Sequence, residues 1–298
     1  MEYAYCLISF LTGAVISVMV VGNTALGNAT SNEVSIIINQ IVGIALLSAI
    51  MLLGRKNQTI NPPRRKAGWY LWFGGILGLV VITCNYYSVT GAGTTIAMAS
   101  AVFGQCLAGL FFDLTGLMGM EKHRITGRRL ASIAVSFAGI LLMFALSEDG
   151  ISFAYAIIGI GAGIVTMTQM VYNSLFAKHK GAFFSARNNV ISGLMGILLF
   201  SAIAVPGKTM EALSQLGNVN PLVIVLGGTL GCVVVVCCNT VIPRIPASVS
   251  SVLMSSGQVL TAVLLDACLY GRFELSLLIG ALVMVAGIAM TLTPRKMG

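Results

Sequence analysis

Apolar runs of about 20 residues follow one another down this chain, separated only by short polar joints. They cover 3–26, 33–53, 67–88, 92–115, 125–146, 151–176, 184–205, 221–241, 246–269 and 274–293. A helix rising 1.5 Å per residue needs about 20 apolar residues to cross about 30 Å of hydrocarbon. The pattern therefore predicts an all-α integral membrane protein with ten transmembrane helices. Composition agrees, with 57% hydrophobic and 9% charged residues among 298 and a mean hydropathy of +0.95. Joints this short leave no room for a soluble catalytic or nucleic-acid-binding domain.

The net charge of +8 would suggest a nucleic-acid partner in a soluble chain. Here the basic residues are divided by the membrane. With the N-terminus in the cytoplasm, 15 of the 17 Lys and Arg residues fall inside, and only Lys208 and Arg272 fall outside. That asymmetry is what the positive-inside rule requires, and an odd number of spans would scramble it. Both termini are expected in the cytoplasm of a multi-pass protein of the cytoplasmic membrane. The first run lacks a basic leader and is too long for a signal-peptide core, so it is expected to be retained. All seven cysteines (Cys6, Cys84, Cys106, Cys232, Cys237, Cys238 and Cys268) lie in apolar runs without C-x-x-C spacing, which favours buried thiols over a disulfide framework or a metal centre.

The chain also repeats itself. Gly13–Asn23 (GAVISVMVVGN) aligns with Gly163–Asn173 (GIVTMTQMVYN), and Ser35, Asn39 and Gly43 align with Ser185, Asn189 and Gly193 at the same offset. GGILG at 74–78 meets GGTLG at 227–231, and GQCLAGLFFD at 104–113 meets GQVLTAVLLD at 257–266. Matches spread over four successive runs at a nearly constant offset mark a duplication. The expected organisation is one five-helix repeat over 1–148 and a second over 149–298, forming one transport domain. Five is odd, so the second repeat enters the membrane from the opposite side, and two inverted halves are suited to alternating access.

Ten short-looped spans in inverted halves resemble the drug/metabolite transporter superfamily. GQCLAGLFFDLTGLMG at 104–119, followed by a basic loop and RRLASIAVSFAGILLMF at 128–144, is similar to the YdcZ-like branch in its fused ten-span form. The resemblance implies that spans 1–4 and 6–9 surround a substrate cavity while spans 5 and 10 are peripheral. The superfamily's small multidrug exporters carry a glutamate in span 1; this sequence has no acid between Tyr3 and Leu26.

Polar groups are costly in lipid and therefore mark function. Gln105 and Gln258 lie near the middle of spans 4 and 9, each after a glycine, Gly104 or Gly257, that admits a neighbouring backbone or a ligand. With Gln169 and Tyr86 they are the expected substrate-binding residues, although two glutamines can also simply bond across a helix interface. Asp113 and Asp266 stand eight residues beyond the glutamines, about 12 Å along each helix, near opposite membrane faces. They suit a gate, a helix-end anchor or a protonatable switch. Asn23, Asn39 and Asn85 are expected to gather toward the outer ends of their spans, and Asn173, Asn189 and Asn239 toward the inner ends, as gating groups or interhelical amide bonds.

The function these features favour is secondary transport, export or facilitated passage, of a small polar or amphipathic metabolite. A channel or a non-transporting scaffold is the alternative. Neither metalloprotease nor hydrolase motifs nor a nucleotide-binding loop occurs, so no catalytic role and no cofactor or metal is expected. The expected partners are the lipid bilayer and a small-molecule substrate, with a homodimer also admitted and nucleic acid not.

Overall fold

The computed structural model describes residues 2–57, 59, 60, 62, 65–117, 127–146, 153–241, 247–271 and 275–290. Arg64, Lys122, His123, Arg124, Pro243, Arg244, Pro246, Arg272, Arg295 and Lys296 lie outside the described residues, as do the side chains of Asp113 and Arg129.

Helices α1 (Glu2–Ala29), α2 (Asn32–Leu53), α3 (Gly74–Thr115), α4 (Gly127–Leu146) and α5 (Phe153–Lys180) are followed by α6 (Ala182–Ala204), the short α7 (Pro206–Ser214), α8 (Pro221–Val241), α9 (Ala247–Tyr270) and α10 (Leu275–Ala289). No strand occurs among the described residues. The apolar runs coincide with these helices within a few residues, the third excepted, where the run starts at 67 and the α-helix at Gly74. The aromatic segment Trp69–Phe73 forms a 3₁₀ turn instead.

Six stretches are long and apolar enough to cross a membrane: Ala4–Ala29, Asn32–Leu53, Trp69–Phe112, Phe153–Lys180, Ala182–Ala204 and Pro221–Val241. Leu130–Met143, Leu253–Leu269 and Leu278–Gly287 are shorter apolar helices. This is an all-helical integral membrane protein. The 44-residue stretch is double length because two apolar runs abut. They are separated at Gly93, whose φ of 77° and ψ of 166° break the helical ladder; side chains rarely adopt that backbone conformation, and glycine does. The residues after Gly93 thus begin a new helix with its own unpaired N–H groups.

Two compact units form, each drawn from both ends of the sequence. One contains Met1–Ser17, Ser88–Ile164 and Val241–Gly298; the other contains Val18–Tyr87 and Val165–Thr240.

In the first unit, Ile96, Val102, Ile140, Met143, Val259 and Met284 share one buried cluster. Within it α4 runs antiparallel to α10. Ser132 Oγ donates to the Gly287 carbonyl at 2.5 Å and Ser136 Oγ approaches that of Met284 at 3.4 Å. One turn on, a Cβ at Gly139 would stand 2.8 Å from the Gly280 carbonyl. Small residues bring the two backbones together, and the resulting dispersion contacts and hydroxyl bonds hold helices in lipid, where water gives no apolar driving force.

In the second unit α2 and α6 are antiparallel. Gly43 abuts Val190, Gly193 abuts Gln40, Leu47 clusters with Ala186, and Ile36 with Ile197. Each step forward on α2 is a step back on α6. Ser31 caps α2 by accepting the Val34 N–H at 3.2 Å.

Candidate solute site and its polar networks

In the first unit the duplicated glycines are sites of backbone contact. A Cβ on Gly257 would run into the Phe10 carbonyl and stand 3.1 Å from the Ala14 nitrogen. A Cβ on Gly104 would meet the Ile160 carbonyl and stand 3.0 Å from the Ile164 nitrogen. Phe10 and Ile160, like Ala14 and Ile164, are the same positions of the repeat. Gly13 and Gly163 add matching contacts, against the Met254 and Ala101 carbonyls. A neighbouring helix backbone fills the space left by each glycine of the Gly-Gln pairs.

The glutamines themselves differ. Gln258 is 2% exposed; its Nε2 faces Met98 Sδ at 3.4 Å, while its Oε1 is buried with no hydrogen-bond partner. Its backbone carbonyl accepts the Ser17 hydroxyl at 2.5 Å. Gln105 is only partly buried, and no hydrogen bond is assigned to its side chain among the described residues.

Asp266 is buried and sits at the helix start created by Gly93. Its Oδ2 accepts the Thr95 N–H at 2.7 Å and the Thr95 hydroxyl at 2.6 Å, and Oδ1 accepts the Thr94 N–H at 3.3 Å. A carboxylate here meets the positive end of the helix dipole and the N–H groups that have no partner within the helix. The three bonds tie the Asp266 side chain to the first residues of the helix that restarts after Gly93. Thr94 and Thr95 were not singled out by sequence; the G-A-G-T-T segment at 91–95, glycines followed by hydroxyl residues, was the available signal.

The second unit holds two asparagine networks. In one, Asn39 Nδ2 donates to Asn23 Oδ1 at 2.8 Å, and Ser35 Oγ donates to the Asn23 carbonyl at 2.8 Å. In the other, Asn173 Nδ2 donates to Asn189 Oδ1 at 3.1 Å, and Ser185 Oγ to the Asn173 carbonyl at 2.9 Å. Gln169 completes the second network, its Nε2 reaching Asn189 Oδ1 at 3.1 Å and the Gly74 carbonyl at 3.2 Å. Asn239 bonds elsewhere, to the Ala182 carbonyl at 3.2 Å.

Asn85 and Tyr86 line a cavity of about 20 Å³ with Asn23, Thr24, Met19 and Val20. That volume admits about one water molecule. The Thr24 hydroxyl and Asn85 Oδ1 are buried with no partner. All seven cysteines are free thiols.

Comparison with known proteins adds the following. The family model DMT_YdcZ, described as "Putative inner membrane exporter, YdcZ", matches the chain twice, over residues 4–142 and 154–290. No curated protein matches. Among 27 matching chains of solved structure is one titled "Crystal structure of protein", 18% identical with a TM-score of 0.66, covering 99% of this chain and 98% of its own. At that identity it shows the fold alone.

Proposed function

The chain belongs to the DMT_YdcZ family of inner-membrane exporters, and from that premise we propose that it moves a small polar or amphipathic metabolite across the membrane by alternating access of two inverted five-helix repeats, 1–148 and 149–298, each crossing the membrane five times with both termini in the cytoplasm. The observation that carries this reading is the antiparallel contact of α2 with α6. Gly43 and Gly193 occupy the same repeat position, as do Gln40 and Val190, so the Gly43–Val190 and Gly193–Gln40 contacts exchange under the repeat. Equivalent helices that run antiparallel are what inversion of the halves requires, and inverted halves can trade conformations to open one site to either face.

Gln258 and Gln105, with Gly257 and Gly104 holding their helices close, are assigned to the solute, together with Gln169 and Tyr86. The buried Gln258 Oε1 supports this, since an orphan acceptor costs about 1–3 kcal/mol and a solute donor would satisfy it. Asn23, Asn39, Asn85, Asn173, Asn189 and Asn239 are assigned to gating. Asp266 and its repeat counterpart Asp113 are assigned to anchoring the helices that move.

The test is a thermal-shift screen of the purified protein against small cations, zwitterions, nucleosides and neutral polyols, followed by flux of any hit in proteoliposomes. A stabilising solute that is transported, and whose effect disappears in the Gln105→Ala/Gln258→Ala double variant, supports the reading. A transported solute bound equally by the double variant would remove the glutamines from the site. A hit that binds but never crosses would remove transport.

A further inference from the structure

The Trp69–Phe73 turn and the start of α3 belong to the first repeat, and groups of the second repeat hold their backbone at four points, all within the second unit. The Tyr172 hydroxyl donates to the Tyr70 carbonyl, Asn188 Nδ2 donates to the Trp72 carbonyl at 2.8 Å, and the Gly75 N–H donates to Ser192 Oγ at 3.0 Å. Gln169, assigned above to the solute, donates to the Gly74 carbonyl at 3.2 Å. The Trp72 ring packs edge-on against Phe176 and Phe184, with centroids 5.3 and 5.8 Å away.

The repeat shows that packing here does not need these bonds. Under the alignment of the halves, Gln169, Tyr172, Asn188 and Ser192 correspond to Met19, Gly22, Ile38 and Val42, and Trp69–Phe73 corresponds to 222–226 in α8. The backbones approach alike. A Cβ on Gly75 would stand 2.5 Å from Ser192 Oγ and run into the Asn189 carbonyl, while one on Gly228 would stand 2.8 Å from Val42 Cβ and 2.7 Å from the Asn39 carbonyl oxygen. Yet none of Met19, Gly22, Ile38 and Val42 has the side-chain group to make its counterpart's bond. One contact between the repeats is closed by packing alone, and the other adds polar bonds to backbone.

We propose that Tyr172, Asn188 and Ser192 form a releasable latch that holds the mouth between Trp69–Gly75 and the α5–α6 corner shut, and that transport opens this mouth by breaking their bonds. The proposal rests on the transport reading, whose topology puts this mouth on the cytoplasmic side. The bonds run from one repeat to the other, the parts that must separate in alternating access. Those of Tyr172 and Asn188 lie at the exposed edge, where water replaces a broken bond and release is cheap. Gln169 brings the solute to the same backbone, since a solute acceptor that takes its Nε2 withdraws a bond from the Gly74 carbonyl.

The experiment uses the full-length protein, freed of native cysteines and held in lipid nanodiscs. Spin labels on Trp69→Cys and Lys178→Cys read the latched mouth; labels at the equivalent repeat positions, Leu222→Cys and Asn28→Cys, read the other, and all four residues are exposed. Pulsed electron paramagnetic resonance should find one dominant short distance at the latched mouth. Tyr172→Phe and Asn188→Ala should each populate the same second, longer distance, and together they should raise the ratio of long to short about tenfold. Ile38→Ala, at the position equivalent to Asn188, should leave that distribution unchanged. Tyr172→Phe removes a single hydroxyl at the exposed edge, so it provides a folded variant whatever Asn188→Ala does. Unchanged distances in both variants, or a broadening about the original mean without a second distance, overturn the latch and leave these bonds as a fixed joint. If the other pair lengthens together with the latched pair, both mouths open at once, so the latch stands while alternating access falls.

Discussion

Asp266 Oδ2 holds both the backbone N–H and the hydroxyl of Thr95, at 2.7 and 2.6 Å, tying α9 to the helix that restarts after Gly93. The pairing spans 171 residues of sequence, and it turns the Gly93 break from an open helix end into a fixed joint. Asp266→Ala should therefore cost about 1–3 kcal/mol by leaving these donors unpaired in a buried site. Asp266→Asn, which keeps one acceptor, should cost less. Denaturant or thermal unfolding of the two variants checks the order; an Asp266→Ala protein as stable as the wild type would remove the anchor.

Gly257→Ala and Gly104→Ala place a methyl against helix backbone, which cannot turn aside as a side chain can. Each should lose about 1–3 kcal/mol, the usual cost of overpacking. Gly161→Ala is the control, since a Cβ there has nothing within 4 Å, and it should be neutral or slightly stabilising because alanine is the better helix former. Melting temperatures of the three variants decide; equal changes in all three would show that the backbone contacts at Gly257 and Gly104 do not set the cost.

Gln169→Leu removes the donor shared by Asn189 Oδ1 and the Gly74 carbonyl. Interhelical bonds of this type contribute about 1 kcal/mol, so a loss of that order is expected. In a double-mutant cycle with Asn189→Leu the two losses should be less than additive. Strict additivity would show that the amides do not act on one another.

The proposed topology puts Lys208 outside and Lys56 inside. In a background without native cysteines, a cysteine replacing Lys208 should react with a membrane-impermeant maleimide on intact cells, and one replacing Lys56 only after permeabilisation. The reverse result would overturn the proposed orientation, and equal labelling of both would overturn the five spans proposed between them.

Helix placement was legible in the sequence because hydrocarbon thickness sets the length of an apolar run, and each run carries a helix. The run at 67–88 began too early since Trp69, Tyr70, Leu71, Trp72 and Phe73 are apolar enough to pass for a helix, while the chain there makes a 3₁₀ turn. The apolar runs place the joint between spans 3 and 4 at 89–91, yet the α-helical ladder continues to Ala92 and yields only where Gly93 takes a positive φ. Asn23 with Asn39, and Asn173 with Asn189, could be anticipated as neighbours because repeat alignment placed each pair on consecutive helices. The partners of Asp266 could not, since nothing local in the sequence specifies which helix start a distant carboxylate will meet. Neither could the difference between Gln258, sealed beside Met98, and Gln105, partly open: the two share a motif, and only packing distinguishes them.

The pairing of α4 with α10 also sets an order of events. The chain is made from its N-terminus, and Leu275–Ala289 is the last described helix to emerge. Until then the Ser132 hydroxyl lacks the Gly287 carbonyl, and Gly139 has no Gly280 backbone to close upon. The unit that contains the first 17 residues therefore cannot be completed until the last helix has been synthesised and inserted, and a chain released early leaves a strip of small residues and hydroxyls facing lipid, where quality-control proteases can recognise it.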